Sequence, residues 1–298
     1  MKKALLPVLA SVLVLSSCKK DKDAKFMYQL TRAEIETQAF DFTYNDQNLL
    51  DRIDITDTRT EDPGTPYYVL VNYSDGVPSS LDLYVKPPTG AGVPVRNFRF
   101  GRDSRNNIAY TAAISYQENG QLPPAQEPRD TTRFQYNTEG KITGVKNYWD
   151  GDFRTWTYDA QGNYFIQDES NMEGGTGWTL KMLEQRYDNG INPFSNMGLG
   201  QFIYAFAGEE FELKDQLLST NNPVSYKDDY TEFYNEGEGI KTTKYLYYMT
   251  RTNTLDENGV LKTSELSTKE ERVINGEIEL TDNDGPYTRK FTVVKKQL

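Results

Sequence analysis

Histidine is missing altogether from these 298 residues, and cysteine occurs once, at Cys18. Without imidazole there is no Ser-His-Asp or Cys-His relay, no His-ligated zinc and no imidazole proton shuttle. A single thiol excludes an internal disulfide framework, a Cys-cluster zinc site and an ordinary iron–sulfur cluster. Basic residues are also short: 33 Lys+Arg stand against 44 Asp+Glu, a net charge of −11. That balance argues against a nucleic-acid groove, which needs basic surface to replace released counterions. No Gly-Lys-[Ser/Thr] phosphate loop and no dinucleotide fingerprint occur, so no cofactor is expected. Asp282-Asn283-Asp284-Gly285 starts like a calcium loop, but Pro286 and Val293 occupy positions where an EF-type loop needs ligands. A turn is expected there, and no metal. Apolar residues make up only 37% of the chain, yet 13% are aromatic, with 21 tyrosines. Disordered chains are poor in aromatics, so this is a folded, strand-rich protein.

The apolar runs are short as well. Lys2 and Lys3 precede Ala4 to Leu15, a stretch interrupted by Pro7 and too short for a transmembrane helix. It ends Leu15-Ser16-Ser17-Cys18, which resembles the bacterial lipobox. The resemblance implies removal of residues 1–17 as a signal peptide and acylation of Cys18, the lipid attachment site. Several acyl chains on one residue suffice for stable anchoring. Residues 18–25 then form the acylated cysteine and a polar tether. The seven residues Lys19 to Lys25 reach roughly 25 Å when extended. No Asp follows Cys18 directly, so the outer membrane is favoured over the inner, with the periplasmic or surface face left open.

Residues 26–298 read as a single β-rich domain. An aromatic followed by a polar turn with Gly or Asn recurs between alternating runs. Tyr44-Asn45-Asp46-Gln47-Asn48, Tyr73-Ser74-Asp75-Gly76 and Tyr116-Gln117-Glu118-Asn119-Gly120 are the early copies. Tyr136-Asn137-Thr138-Glu139-Gly140, Tyr158-Asp159-Ala160-Gln161-Gly162 and Tyr187-Asp188-Asn189-Gly190 follow, then Tyr234-Asn235-Glu236-Gly237 and Leu255-Asp256-Glu257-Asn258-Gly259. Gly or Asn supplies the positive φ that closes a short loop, and the Asp or Asn side chain bonds the turn's own backbone. Asn275-Gly276 marks one more hairpin. The fold class is therefore all-β: a large twisted antiparallel meander of hairpins, either an open curved sheet or barrel-like. Asn192 to Pro223 breaks the rhythm, and one or two short helices are expected around 195–218, packing on the sheet or plugging its concave side.

These Tyr-[Asp/Asn]-x-x-Gly hairpins resemble the YD (Rhs-type) repeat. Tyr187-Asp188-x-x-x-Asn192-Pro193-Phe194, with Leu218-Ser219-x-Asn221-Asn222-Pro223, resembles a family of Bacteroidetes lipoproteins carrying a domain of unknown function. The resemblance implies a twisted β-meander on a lipid anchor, sometimes likened to porin-type sheets. It brings no activity and no catalytic residues. Asp130-Thr131-Thr132 resembles the Bacteroidetes O-glycosylation pattern.

Catalysis without histidine would rest on carboxylates, as in a paired-acid glycoside hydrolase. Asp150 and Asp152, beside Trp149 and Phe153, are the candidates, although Asp150-Gly151-Asp152 reads better as a plain hairpin turn. No catalytic residue is assigned. Trp149, Trp156, Trp178, Tyr245 and Tyr247, with Tyr248, could line a ligand groove, because Tyr and Trp give large contact area at low entropy cost. Strand aromatics more often form cross-strand pairs that cover a sheet face, and that structural reading is favoured. The reading that results is an outer-membrane-anchored, non-catalytic binding or interaction module for a glycan, a peptide or an envelope partner. A carboxylate-dependent hydrolase and a purely structural envelope protein are the alternatives. The membrane, through the lipid, is the one fixed partner.

Overall fold

The computed structural model describes residues 26–57, 66–117, 120–122, 130–146, 154–166, 169–195, 217–235, 239–274 and 276–297. The signal segment, Cys18 and the tether lie outside them. So do Trp149, Asp150 and Asp152, and most of the stretch in which short helices were expected. At the edges of that stretch, Pro193–Ser195 form a turn, and Leu217 and Leu218 are helical.

Seventeen strand segments follow one another: β1 (Phe26–Ile35), β2 (Gln38–Tyr44), β3 (Leu50–Asp57), β4 (Tyr67–Ser74), β5 (Val77–Val85), β6 (Val93–Arg102), β7 (Ile108–Ser115), β8 (Asp130–Tyr136), β9 (Ile142–Lys146), β10 (Arg154–Tyr158), β11 (Tyr164–Ile166), β12 (Glu169–Glu173), β13 (Thr176–Tyr187), β14 (Pro223–Asn235), β15 (Ile240–Leu255), β16 (Leu261–Ile274) and β17 (Glu277–Gln297). All their mutual pairings are antiparallel. Of the two forms the sequence left open, the chain takes the barrel-like one. β17 returns to β1, pairing Gln297 with Phe26 and Lys290 with Glu34, so the meander curls nearly closed. β11 and β12 act as two halves of one interrupted strand. β10 pairs with β11 and β13 with β12, while Gln185 Nε2 and Tyr187 Oη of β13 both donate to the Tyr164 carbonyl.

The turns explain why this sequence makes hairpins. In five loops the leading Asp or Asn accepts backbone N–H bonds two and four residues on: Asn45, Asp103, Asn137, Asp159 and Asp256. The fourth loop residue is left-handed each time, as at Asn48 (φ 61), Gly140 (φ 78) and Gly162 (φ 86). Hence glycine or asparagine stands there. Alternation of strand direction puts all five loops on one rim, the turn rim.

The tyrosine before each turn has its own task. Tyr44, Tyr73, Tyr136, Tyr158 and Tyr187 donate their hydroxyls to the carbonyls of Leu30, Leu50, Ile108, Ile142 and Tyr164, at 2.5–2.7 Å. Four of those acceptors are the first residue after the preceding five-residue loop. Each tyrosine thus staples its hairpin to the one before it. Burial pushes the Tyr44 and Tyr136 hydroxyls up and those of Tyr73 and Tyr158 to about 12, so they donate across the physiological range. The loop after Leu255 lacks this tyrosine, and so does the loop after Arg102. There the Arg102 guanidinium reaches the Pro78 carbonyl and, at 2.6 Å, that of Asn106. Tyr136→Phe is expected to cost about 1–2 kcal/mol, because a buried carbonyl loses its donor. Urea unfolding measures it, and an unchanged midpoint would dismiss the staple.

Strand alternation sends apolar side chains inward. Phe40, Phe42, Ile53, Ile55, Val69, Val71, Leu81 and Phe98 are buried and belong to one core. Their strand neighbours form a polar outer face, with Arg32 paired to Asp41 and Arg52 to Asp54. Where a membrane-spanning barrel turns its apolar side chains outward, this one keeps them inside.

Residues 188–195 and 217–222, between β13 and β14, lie across the turn rim. Phe194 meets Phe291 edge-on at 5.8 Å, and Leu217 is buried beside them in the core. Asn192, fully buried, donates to the Ser219 carbonyl and accepts from the Phe194 N–H. Ser219 Oγ accepts from the Tyr164 N–H, and Asn163 Oδ1 from the Asn221 N–H. Asp188 accepts from the Gly190 and Asn222 backbones and from the side-chain amides of Asn222 and Asn253. A parallel bridge from Ile191 to Val260 ties these residues to the last turn. This is a cap over the packed end of the barrel.

At residues 282–285, where a turn was expected, the strand continues. β17 runs through with Asp282 opposite Glu270 and Asp284 opposite Thr268. Gly285 (φ 96) and Pro286 are accommodated as a bulge facing Ser267. The turn-forming residues are spent on that irregularity.

Candidate binding surface

The strands differ in length, and the difference creates a surface. β14, β15 and β16 span 13, 16 and 14 residues, whereas β3 spans 8 and β9 spans 5. β1 pairs only with residues 290–297 of β17, so residues 277–289 of that strand rise beyond the β1–β2 turn. β12 to β17 therefore form a wall standing above the barrel, on the side away from the cap.

Its inner face continues the barrel interior. Met249, Arg251, Ser264 and Leu266 are buried low on this face. Arg289, fully buried, reaches Glu36 at 3.5 Å. Higher up, the register places Leu180, Tyr230, Tyr245 and Arg272 in one row and Met182, Asp228, Tyr247 and Glu270 in the next. Trp178 and Tyr230 lie 5.9 Å apart, Tyr230 and Tyr245 6.1 Å, and Tyr245 and Tyr247 6.2 Å with rings 14° from parallel. All four are partly exposed. Together they form a continuous aromatic strip about three strands wide.

Asp228 sits in this strip. It is 6% exposed, and its Oδ1 has no hydrogen-bond partner. Burial pushes its carboxyl up to about 7, the neighbouring Asp229 adds to the rise, and the Tyr247 backbone N–H opposes it. Tyr247 is raised to about 12, chiefly by burial, with Glu270 and Asp228 contributing. Tyr230 Oη is 3.3 Å from Glu232 Oε1.

The outer face of the same wall is arranged differently, because its charges are paired. Lys227 and Lys269 lie over the two sides of the Tyr248 ring at 4.6 and 5.3 Å. Tyr248 donates to Glu271, and Lys269 and then Tyr248 hold that carboxyl below its usual range. Asp229 pairs with Lys244.

Of the aromatic residues singled out from the sequence, Trp178, Tyr245 and Tyr247 share the inner face. Tyr248 is on the opposite face. Trp156 lies elsewhere, 4% exposed in the core and 5.4 Å from the Tyr164 ring. Its strand alternation points it into the barrel, so it supports the core and not a groove. Tyr230 and Asp228 were not visible as candidates, because only the β14–β15 register brings them beside Tyr245 and Tyr247.

No family model and no curated protein matches the chain. Among solved structures, a porin-like protein from Bacteroides uniformis is similar at 14% identity with a TM-score of 0.43, covering 89% of this chain and 98% of that one. A porin-like protein from Bacteroides vulgatus is similar at 11% identity with a TM-score of 0.31, over 89% and 98% of the two chains. The Photorhabdus luminescens Tc holotoxin pore is similar at 9% identity with a TM-score of 0.17, over 88% of this chain and 16% of that one.

Proposed function

We propose that this chain is a lipid-anchored, non-catalytic binding module of the outer membrane that takes its ligand on the inner face of the β13–β16 wall. The observation that carries the reading is the partly exposed strip of Trp178, Tyr230, Tyr245 and Tyr247, held on a rigid sheet above a packed barrel. Rigid aromatic rings at about 6 Å give a flat, low-entropy contact for an extended polymer such as a peptide or glycan. Phe26, the first described residue, is where a tether from Cys18 would join the barrel. Phe26 pairs with Gln297 on the turn rim, so a tether leading to it arrives on the capped side, opposite the wall. The polar outer face suits a domain that stands off the bilayer.

Screening the purified full-length chain in detergent against peptide and glycan arrays, beside a Tyr230→Ala/Tyr245→Ala variant, tests the proposal. At least a tenfold loss of affinity in the variant is expected. Unaltered binding would move the site elsewhere. Turnover of a bound glycan that vanishes in Asp228→Asn would replace the binding module with a hydrolase.

A further inference from the structure

Resting on that reading of the wall, we infer that its ligand carries an ammonium group, as in the lysine side chains of an extended peptide, and that Asp228 receives it. Three independent features of the inner face converge on this chemistry. Asp228 has a carboxylate oxygen, Oδ1, that is buried and has no hydrogen-bond partner, on a residue only 6% exposed. A buried carboxylate acceptor left open is costly, and a donor cation repays that cost with a charge-assisted hydrogen bond. The carboxylate lies in register with Tyr247 and two residues from Tyr230, so an ammonium on Oδ1 meets the faces or edges of aromatic rings. Cation–π attraction strengthens in such partly desolvated sites.

The surrounding charge is of the right sign. Glu270 from β16 and Asp282 from β17 lie in the row of Asp228, with Glu232 four residues along β14, while the cations of this face, Arg272, Lys241, Arg251 and Arg289, lie in other rows. Met182 is the neighbour from β13. A neutral sugar would satisfy the rings and leave the carboxylate uncompensated, and an anionic ligand would be repelled. The outer face makes the contrast: there the wall already presses two lysines onto a tyrosine and pairs one with Glu271. In the row of Asp228 and Tyr247 the inner face has the same kind of tyrosine–carboxylate pair with no lysine in that row.

The ligand's amine stays protonated up to about pH 10, so the carboxylate governs the pH response. Asp228, which shares the inner face with Glu232, Glu270, Asp282, Arg272, Lys241 and Arg251, is raised to about 7 by burial. Affinity is therefore expected to rise between pH 6 and pH 8.

Isothermal titration of the full-length chain with N-acetyl trilysine amide, and with its tri-Nε-acetyl form, decides the matter. The free amines are expected to bind at least tenfold more tightly than the acetylated peptide, and Asp228→Asn to remove that preference. General attraction to an acidic protein would survive the loss of one charge, so equal binding by Asp228→Asn overturns the assignment. A neutral hexasaccharide separates the two levels of the argument. If it binds, loses affinity in Tyr230→Ala/Tyr245→Ala and ignores Asp228→Asn, the aromatic surface stands and the ammonium site falls. If neither peptide nor hexasaccharide binds, both fall.

Discussion

Replacing Asp188 by alanine is expected to lower the unfolding free energy by about 3–5 kcal/mol, the largest loss from any single polar side chain. One carboxylate accepts from the Gly190 and Asn222 backbones and from the amides of Asn222 and Asn253. It joins the end of β13 to the start of β14 and to β15. Removing it leaves several buried donors unsatisfied at once and loosens the cap that holds Phe194 against Phe291. Urea unfolding followed by tryptophan fluorescence measures the effect. A change below 1 kcal/mol would show that the apolar contacts alone retain the cap. Asp188→Asn separates shape from chemistry, since it keeps the volume and presents donors to donors. It is expected to lie close to the alanine variant.

The second large effect has the opposite sign. Asp228→Asn is expected to stabilise the protein by about 2–4 kcal/mol at pH 8, and by little at pH 4. The carboxyl is raised from 3.8 to about 7 in the folded state. Between those values the folded protein holds a proton that the unfolded chain has released, so stability falls as pH rises through the window. Above pH 7 both states are ionised and the full penalty of the buried charge remains. The amide has none, so the difference between variant and parent opens from about pH 4 to pH 7 and then levels off. Unfolding curves at pH 4, 6 and 8 would display that opening. A constant difference would mean that Asp228 is already compensated.

The hairpin chemistry was legible in the sequence because it is local. An Asx residue, a left-handed fourth position and the preceding tyrosine lie within six residues, and Tyr136 to Lys141 and Tyr158 to Asn163 display all three. The loop at Asp103 escaped because Arg102 stands where the loops at Asn45, Asn137 and Asp159 have tyrosine, and its guanidinium bonds the Pro78 carbonyl instead. Features that depend on distant partners were hidden. Asp188, Asn222 and Asn253 show nothing of their association until β13, β14 and β15 are aligned. The Asn-Pro-Phe and Asn-Asn-Pro motifs were visible as words; their meaning as the two ends of a cap was not. Trp156 and Trp178 look alike in sequence, each in an alternating run. One strand is short and enclosed, the other projects above the barrel, and only strand length relative to neighbours distinguishes them. The candidate site follows from that same inequality of lengths.

The closing pairing of β17 with β1 also shapes how the chain reaches its fold. Every other strand pairing joins near neighbours in sequence, so hairpins can zip up one after another with small loop-closure costs. Residues 290–297 alone must find a partner about 260 positions earlier, as the Thr31–Thr292 side-chain bond illustrates. Until they arrive, Leu30 and Ala33 on β1 have only one strand beside them, and the edge of β1 is open to foreign strands. The C-terminal segment is thus the latch of the assembly, since its pairing covers the edge of β1.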